Sequence, residues 1–140
     1  MKEPKELLII DDDPDYVDGI RAILQGAGYH VDVARNPKDG WEALKGKDYD
    51  LLLLDIMMGR GAEGVMVARK IRKDPALAEM PVLIITGIRE QISFLFPGQA
   101  VHPGFVPVNE LLEKPVEPTL LLERVESMLA ASASRQATVT

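Results

Sequence analysis

The sequence predicts a doubly wound α/β domain, and three observations point to it. Short runs of strand length, at residues 7–10, 51–54 and 82–85, are apolar at every position rather than at alternate ones. Segments with helical spacing of apolar residues lie between them. The strand-like runs end on acids, a hydroxyl or a lysine rather than on simple turn residues. Strands that are apolar on both faces and separated by helices belong to a parallel sheet covered on both sides.

The elements follow in order. Leu7-Leu8-Ile9-Ile10 stops at acids, and Tyr16, Val17, Ile20, Ile23 and Leu24 then recur on one helical face until Gly26 and Gly28 close the helix. Val31-Asp32-Val33-Ala34 is a short second strand. Asn36-Pro37 reads as an N-cap with proline in the first turn, and Trp41 and Leu44 share a face of the helix that follows. Leu51–Leu54 is the third strand. Val65, Ala68 and Ile71 mark a third helix that ends before Asp74-Pro75, and residues 82–85 form the fourth strand. Between Ile88 and Asn109, Pro97, Pro103, Pro107, Gly98 and Gly104 interrupt any long helix. Glu110-Leu111-Leu112-Glu113 is a weak fifth strand, and Pro118 opens a last helix through Leu121, Val125, Met128 and Leu129. The reading is one domain over residues 1–131 and a small, polar, disordered tail over 132–140.

Bulk properties exclude several classes. A chain of 140 residues, 46% hydrophobic and 27% charged, has enough apolar material for one core and is not disordered in composition. The net charge of -6 argues against direct nucleic-acid binding, because phosphate backbones repel an acidic surface. With no cysteine there is no disulfide, thiolate metal site or thiol nucleophile. The first residues, Met1-Lys2-Glu3-Pro4-Lys5-Glu6, lack an apolar signal segment, and the apolar run Leu51–Leu54 is too short to span a bilayer. The expectation is a soluble cytoplasmic protein without membrane insertion.

In a parallel α/β sheet, ligands gather at the carboxyl ends of the strands. There the first strand meets Asp11-Asp12-Asp13, the third Asp55, the fourth Thr86 and the fifth Lys114-Pro115. Carboxylates crowded into one crevice raise one another's pKa. A hard cation relieves this, and Mg²⁺ favours one or two carboxylates, waters and phosphate oxygens. Lys114 supplies a point charge for phosphate, Thr86 a donor, and an aspartate can accept a phosphoryl group covalently. Taken alone, the Asp triplet before Pro14 reads as a helix cap, and Asp13 suits that role. Asp55, Thr86 or Lys114 alone would be ordinary strand-end residues; the joint pattern carries the signal.

The segments Leu8-Ile9-Ile10-Asp11-Asp12-Asp13-Pro14, Leu52-Leu53-Leu54-Asp55-Ile56-Met57-Met58, Val82-Leu83-Ile84-Ile85-Thr86 and Leu112-Glu113-Lys114-Pro115 resemble response-regulator receiver domains of two-component signal transduction, of the chemotaxis-regulator kind. The resemblance covers about residues 5–131. It implies a flavodoxin-like (βα)5 fold with a five-stranded parallel sheet in the order 2-1-3-4-5. It implies Asp55 as phosphoacceptor, with Thr86 and Lys114 on the phosphoryl oxygens. Mg²⁺ would be held by Asp12 directly, by Asp11 mostly through water, by Asp55, and by the backbone carbonyl of Met57. Pro115 matches a proline that is often cis in the family. The implied partners are a histidine kinase or phosphotransfer protein as donor and a downstream protein effector. The implied role is signalling rather than enzymatic, limited to Mg²⁺-dependent self-phosphorylation and slow autodephosphorylation. The alternative is a receiver-like scaffold that binds without phosphorylation. A phosphatase with an aspartate nucleophile would need an acid at the position of Met57 and is set aside.

Four departures from the family pattern stand out. The loop after Asp55, Met58-Gly59-Arg60-Gly61-Ala62-Glu63-Gly64, lacks the usual proline and has added glycine. Leu111 replaces the usual switch aromatic three residues before the lysine. The stretch from Thr86 to Lys114 is longer than usual and holds Phe94, Phe96 and Phe105, which makes residues 88–109 a candidate partner-specific element. Met57 and Ile88, each two residues past a site residue, are apolar and cannot orient an attacking water, so the phosphorylated state should be long-lived. His30 and His102 are not phosphotransfer candidates, and Trp41 is a packing residue.

Overall fold

A computed structural model describes residues 4–58, 63–87 and 110–139, apart from the side chains of residues 110 and 133–139. Five strands, β1 (Glu6–Ile10), β2 (His30–Ala34), β3 (Leu51–Leu54), β4 (Val82–Thr86) and β5 (Glu110–Glu113), form one sheet in the order β2-β1-β3-β4-β5. Every neighbouring pair is parallel. Leu7 lies beside Leu51 and Ile10 beside Leu54, so β1 and β3 run level to a common carboxyl edge. The weak fifth strand pairs with β4, with Thr86 opposite Glu113.

The pleat explains why these strands read as continuous apolar runs. On one face Leu8, Ile10, Leu52, Leu54, Val82 and Ile84 pack under α2 (Pro37–Gly46) and α3 (Glu63–Lys73). On the other, Leu7, Ile9, Leu51, Leu53, Leu83 and Ile85 pack under α1 (Pro14–Gly26) and α4 (Pro118–Val139). Both faces are therefore core, and water reaches the sheet only at its edges and strand ends.

The caps fall where the sequence puts them. Asp13 accepts a hydrogen bond from the Tyr16 amide at 3.2 Å and caps α1 ahead of Pro14. Asn36 accepts from the Asp39 amide at 2.8 Å and caps α2 ahead of Pro37. Gly28, at φ +98°, makes the left-handed turn from α1 into β2. The chain end differs from expectation. α4 continues to Val139, into the stretch read as a disordered tail. Ala130, Ala131, Ala133, Arg135, Gln136 and Ala137 are helix formers, and their propensity extends a helix already nucleated by packing at Leu121, Val125 and Met128. No described helix is long and apolar enough to cross a membrane. Residues 59–62 and 88–109, and with them Arg60, Ile88, His102 and the phenylalanine-rich stretch, lie outside the described residues.

Candidate functional site

The backbone ladder builds the site one residue past the strands. The Asp11 amide donates to Ala34 O at 3.1 Å, the Asp55 amide to Ile10 O at 3.0 Å, and the Lys114 amide to Thr86 O at 2.7 Å. Pairing thus continues beyond β1, β3 and β5 and delivers Asp11, Asp55, Thr86 and Lys114 to one edge. The Lys114–Pro115 bond is cis.

Each buried carboxylate is held by the chain just after it. Asp11 Oδ1 accepts from the Asp13 amide at 3.0 Å, and Asp55 Oδ1 accepts from the Met57 amide at 3.0 Å. Their second oxygens face Lys114, whose Nζ stands 2.9 Å from Asp11 Oδ2 and 3.5 Å from Asp55 Oδ2. Asp11 and Asp55 are only 2% and 5% exposed, so these charges interact with little screening. Asp12, more exposed, brings a third carboxylate oxygen within 4.8 Å of the other two.

The electrostatics follow from this geometry. Burial, and then repulsion from Asp11, push the Asp55 carboxyl up to about 6, against the opposing pull of Lys114 and the Met57 amide. Lys114 is raised despite burial, because the hydrogen bond to Asp11 and the Asp55 charge outweigh desolvation. The Thr86 hydroxyl is fully buried and has no hydrogen-bond partner among the described residues. Carboxylate oxygens gathered at this spacing, with Lys114 on two of them, suit a hard divalent cation and an incoming oxyanion.

Every site residue singled out in the sequence lies at this edge: Asp11, Asp12, Asp55, Met57, Thr86 and Lys114. Two residues at the same place were missed. Gly64, at the start of α3, donates its amide to Ile56 O at 2.9 Å, which draws the helix onto the acceptor loop. A methyl group on Gly64 would overlap the Asp55 carbonyl oxygen and come within 2.6 Å of Ile56 Cα. In the sequence it stands as one more glycine of the loop after Asp55, and nothing there separates it from Gly59 and Gly61. Tyr16, read only as a core-facing helix residue, lays its ring 4.3 Å from Lys114 Nζ. No periodicity argument reveals that contact.

Residues 7–126 match the family model for the response regulator receiver domain. The chain belongs to that family. Its receiver domain is similar to the response regulator Rre1 of Synechocystis, 29% identical over 131 residues that cover 93% of this chain and 54% of that protein. Among solved structures it resembles a CheY-like receiver domain protein from Methanospirillum hungatei, with a TM-score of 0.79, 26% identity and coverage of 94% and 98% of the two chains. It also resembles the response regulator TrrA from Thermotoga maritima in complex with Mg²⁺ and BeF, with a TM-score of 0.73, 27% identity and coverage of 89% and 98%. The receiver spans about half the length of the first curated relatives it matches. A receiver domain of this family is a signalling domain rather than a classical enzyme, and the flavodoxin-like strand order expected from the sequence is the order observed.

Proposed function

We propose that this receiver accepts a phosphoryl group on Asp55 from a histidine kinase or phosphotransfer protein, in a Mg²⁺-dependent reaction, and signals through contact with a downstream protein. The observation that carries the reading is the state of Asp55: a buried carboxylate crowded by Asp11 and shared with Lys114, at the same strand-end edge as the Thr86 hydroxyl, which has no partner among the described residues. An Asp55 oxygen attacks phosphorus as the bond from phosphorus to the donor breaks. The electron pair of that bond leaves with the donor, and an acyl phosphate remains on the protein.

Asp12, Asp55 and the Met57 carbonyl would hold Mg²⁺, with Asp11 acting through water. Bound there, the cation neutralises charge on the phosphoryl oxygens. Lys114 pairs with one phosphoryl oxygen, and Thr86 donates to another, which gives its hydroxyl a partner. That movement biases the surface around β4 and β5 toward a second conformation. Leu111 packs against the core beneath that surface, in the place of the family's usual aromatic ring, so the coupling runs through Thr86 without an aromatic partner. The setting is the cytoplasm, where such kinases deliver phosphoryl groups.

Intact-mass spectrometry after incubation with acetyl phosphate tests the reading. The expected result is a gain of one phosphoryl group that requires Mg²⁺ and disappears in Asp55→Asn. No gain in the wild type would favour the alternative, a binding scaffold that works without phosphorylation. Met57 and Ile88, the residues two past Asp55 and Thr86 in the sequence, are apolar and cannot themselves orient an attacking water, so the acyl phosphate should decay slowly. Rapid loss from the purified phosphoprotein would contradict that part.

A further inference from the structure

We propose that Tyr16 is a positioning residue of the receiver site: its ring holds the Lys114 ammonium against Asp11 and Asp55 and so sets the rate of phosphoryl uptake. The rate clause rests on the function proposed above; the holding of Lys114 does not. Lysine is a compact charge on a flexible four-carbon stem, and fixing it costs rotamer entropy. On one side of Lys114 stand Asp11 Oδ2 at 2.9 Å and Asp55 Oδ2 at 3.5 Å. The Tyr16 ring also faces it, with Nζ 4.3 Å from the centroid. This is the shortest ammonium–ring contact among the described residues; the pairs at Trp41 and Tyr49 span 5.0 to 5.6 Å. The side chain of Lys114 is 16% exposed, and a cation–π contact strengthens as its cation is desolvated.

The ring is anchored in turn. Tyr16 sits in the first turn of α1, and its amide is bound by the Asp13 cap at 3.2 Å. A side-chain cap directly after the acidic pair therefore fixes the wall of the site as well as the helix start. The ring has a property that the carboxylates lack. Phosphorylation changes the charge and shape of Asp55, and a cation would compete for Asp11. The Tyr16 ring changes in neither case, so it keeps the ammonium over the site through the whole cycle. The hydroxyl is a separate matter: it is buried without a partner among the described residues. Tyr16→Phe therefore isolates ring from hydroxyl.

Two measurements on Tyr16→Phe and Tyr16→Leu decide it, with Tyr16→Met as a second ring-free variant should the leucine fail to fold. In the metal-free protein, NMR should find the Lys114 Cε protons shifted upfield by the ring in wild type and Tyr16→Phe, and unshifted in the ring-free variants. With saturating Mg²⁺ and acetyl phosphate, Tyr16→Phe should take up phosphoryl groups within about twofold of wild type, and the ring-free variants roughly three- to tenfold more slowly. An unshifted Lys114 in the wild type overturns the proposal, as does wild-type uptake by a ring-free variant. Equal slowing of Tyr16→Phe and Tyr16→Leu overturns it too, because the hydroxyl would then be the acting group. A wild type that takes up no phosphoryl group at all would instead fail the function proposed above. The NMR shifts would still decide whether the ring holds Lys114.

Discussion

Two clusters of similar composition stand at opposite ends of the sheet. At the carboxyl edge Asp11, Asp12 and Asp55 meet Lys114 and Tyr16; at the amino edge Glu6, His30 and Asp32 meet Lys47 and Tyr49. Each places three potential metal ligands within 4.8 Å of one another, each with a lysine and a tyrosine. Their electrostatics run in opposite directions. The Lys47 hydrogen bond holds Glu6 below its usual value, and the Tyr49 hydroxyl does the same for Asp32. Asp55 goes up. The difference is burial and donor supply. Side chains at the amino edge are 31% to 53% exposed, and Lys47 reaches Glu6 at 2.9 Å and Asp32 at 3.0 Å, with His30 on Glu6 at 2.5 Å. Water and cations there satisfy each acid. At the carboxyl edge Asp11 and Asp55 are buried and share one lysine. An exposed, satisfied cluster is a surface ion-pair network of small energetic consequence. A buried, under-compensated one holds electrostatic cost that a bound cation and phosphoryl group relieve.

The largest test compares a glycine at each end. At Gly64 a methyl group meets Asp55 and Ile56 backbone, which cannot rotate away. Gly64→Ala should destabilise by about 3 kcal/mol, as an overpacked, strained site. At Gly46, the last residue of α2 and next to Lys47, a methyl group meets nothing within 4 Å. Gly46→Ala should be neutral or gain up to about 1 kcal/mol of helix stability. Denaturant melts of both variants check this. Equal effects would mean that the carboxyl edge is no more tightly built than the amino edge.

Neutralising one acid at each end should have opposite signs. Asp55 has a folded pKa raised from 3.8 to about 6. Its ionisation therefore costs more in the folded chain than in the unfolded one. That penalty is absent below pH 3.8, grows through the window between, and is complete above 6. Metal-free Asp55→Asn should be more stable than wild type by on the order of 2 kcal/mol above pH 7, and the gap should close as pH falls toward 4. Asp32 has a lowered folded pKa, so its contribution is present above its unfolded value and lost as pH falls through the folded one. Asp32→Asn should cost roughly 0.5 kcal/mol or less at pH 7, since solvent screens the site. Melts in chelator across pH 4 to 8 give both curves. A destabilised Asp55→Asn at pH 8 would remove the idea of stored electrostatic cost.

How much of this was legible depended on whether a residue's role is set along the chain or across it. Strand runs such as Leu51–Leu54 announce burial on both faces by composition alone, and Asp13-Pro14 and Asn36-Pro37 announce caps within a few residues. Asp11, Asp12, Asp55, Thr86 and Lys114 were readable because a parallel sheet brings strand ends together whatever lies between. The distinction between the two acidic clusters was not readable: Glu6 and His30 open β1 and β2 and Asp32 lies in the middle of β2, and only the register of β1 with β2, Glu6 beside His30, assembles them. The contact of Tyr16 with Lys114, residues far apart in sequence, and the backbone overlap at Gly64 depend on distances that no periodicity encodes. The helical continuation to Val139 is the opposite case, a local propensity outweighed in the reading by small polar composition.

The smallest expected effect compares two hydroxyls. Thr86 Oγ1 is fully buried without a partner among the described residues, whereas the Tyr49 hydroxyl donates to Asp32 Oδ2 at 2.7 Å. Burial, and then that hydrogen bond, push the Tyr49 phenol up to about 12. An unsatisfied buried hydroxyl carries its desolvation penalty with nothing in return, and a satisfied one contributes about 1 kcal/mol. Thr86→Val keeps the shape and removes the penalty, so the unphosphorylated protein should gain up to about 1 kcal/mol. Tyr49→Phe should lose about 0.5–1.5 kcal/mol. After phosphorylation the order at Thr86 should reverse, because the hydroxyl then has a phosphoryl oxygen to meet. Paired melts of wild type and Thr86→Val, before and after acetyl phosphate treatment, read both states. If Thr86→Val is already destabilised before treatment, the hydroxyl has a partner in the resting protein, and the carboxyl edge is as well satisfied as the amino edge. A gain before treatment that turns into a loss after it would tie the Thr86 hydroxyl to the incoming group.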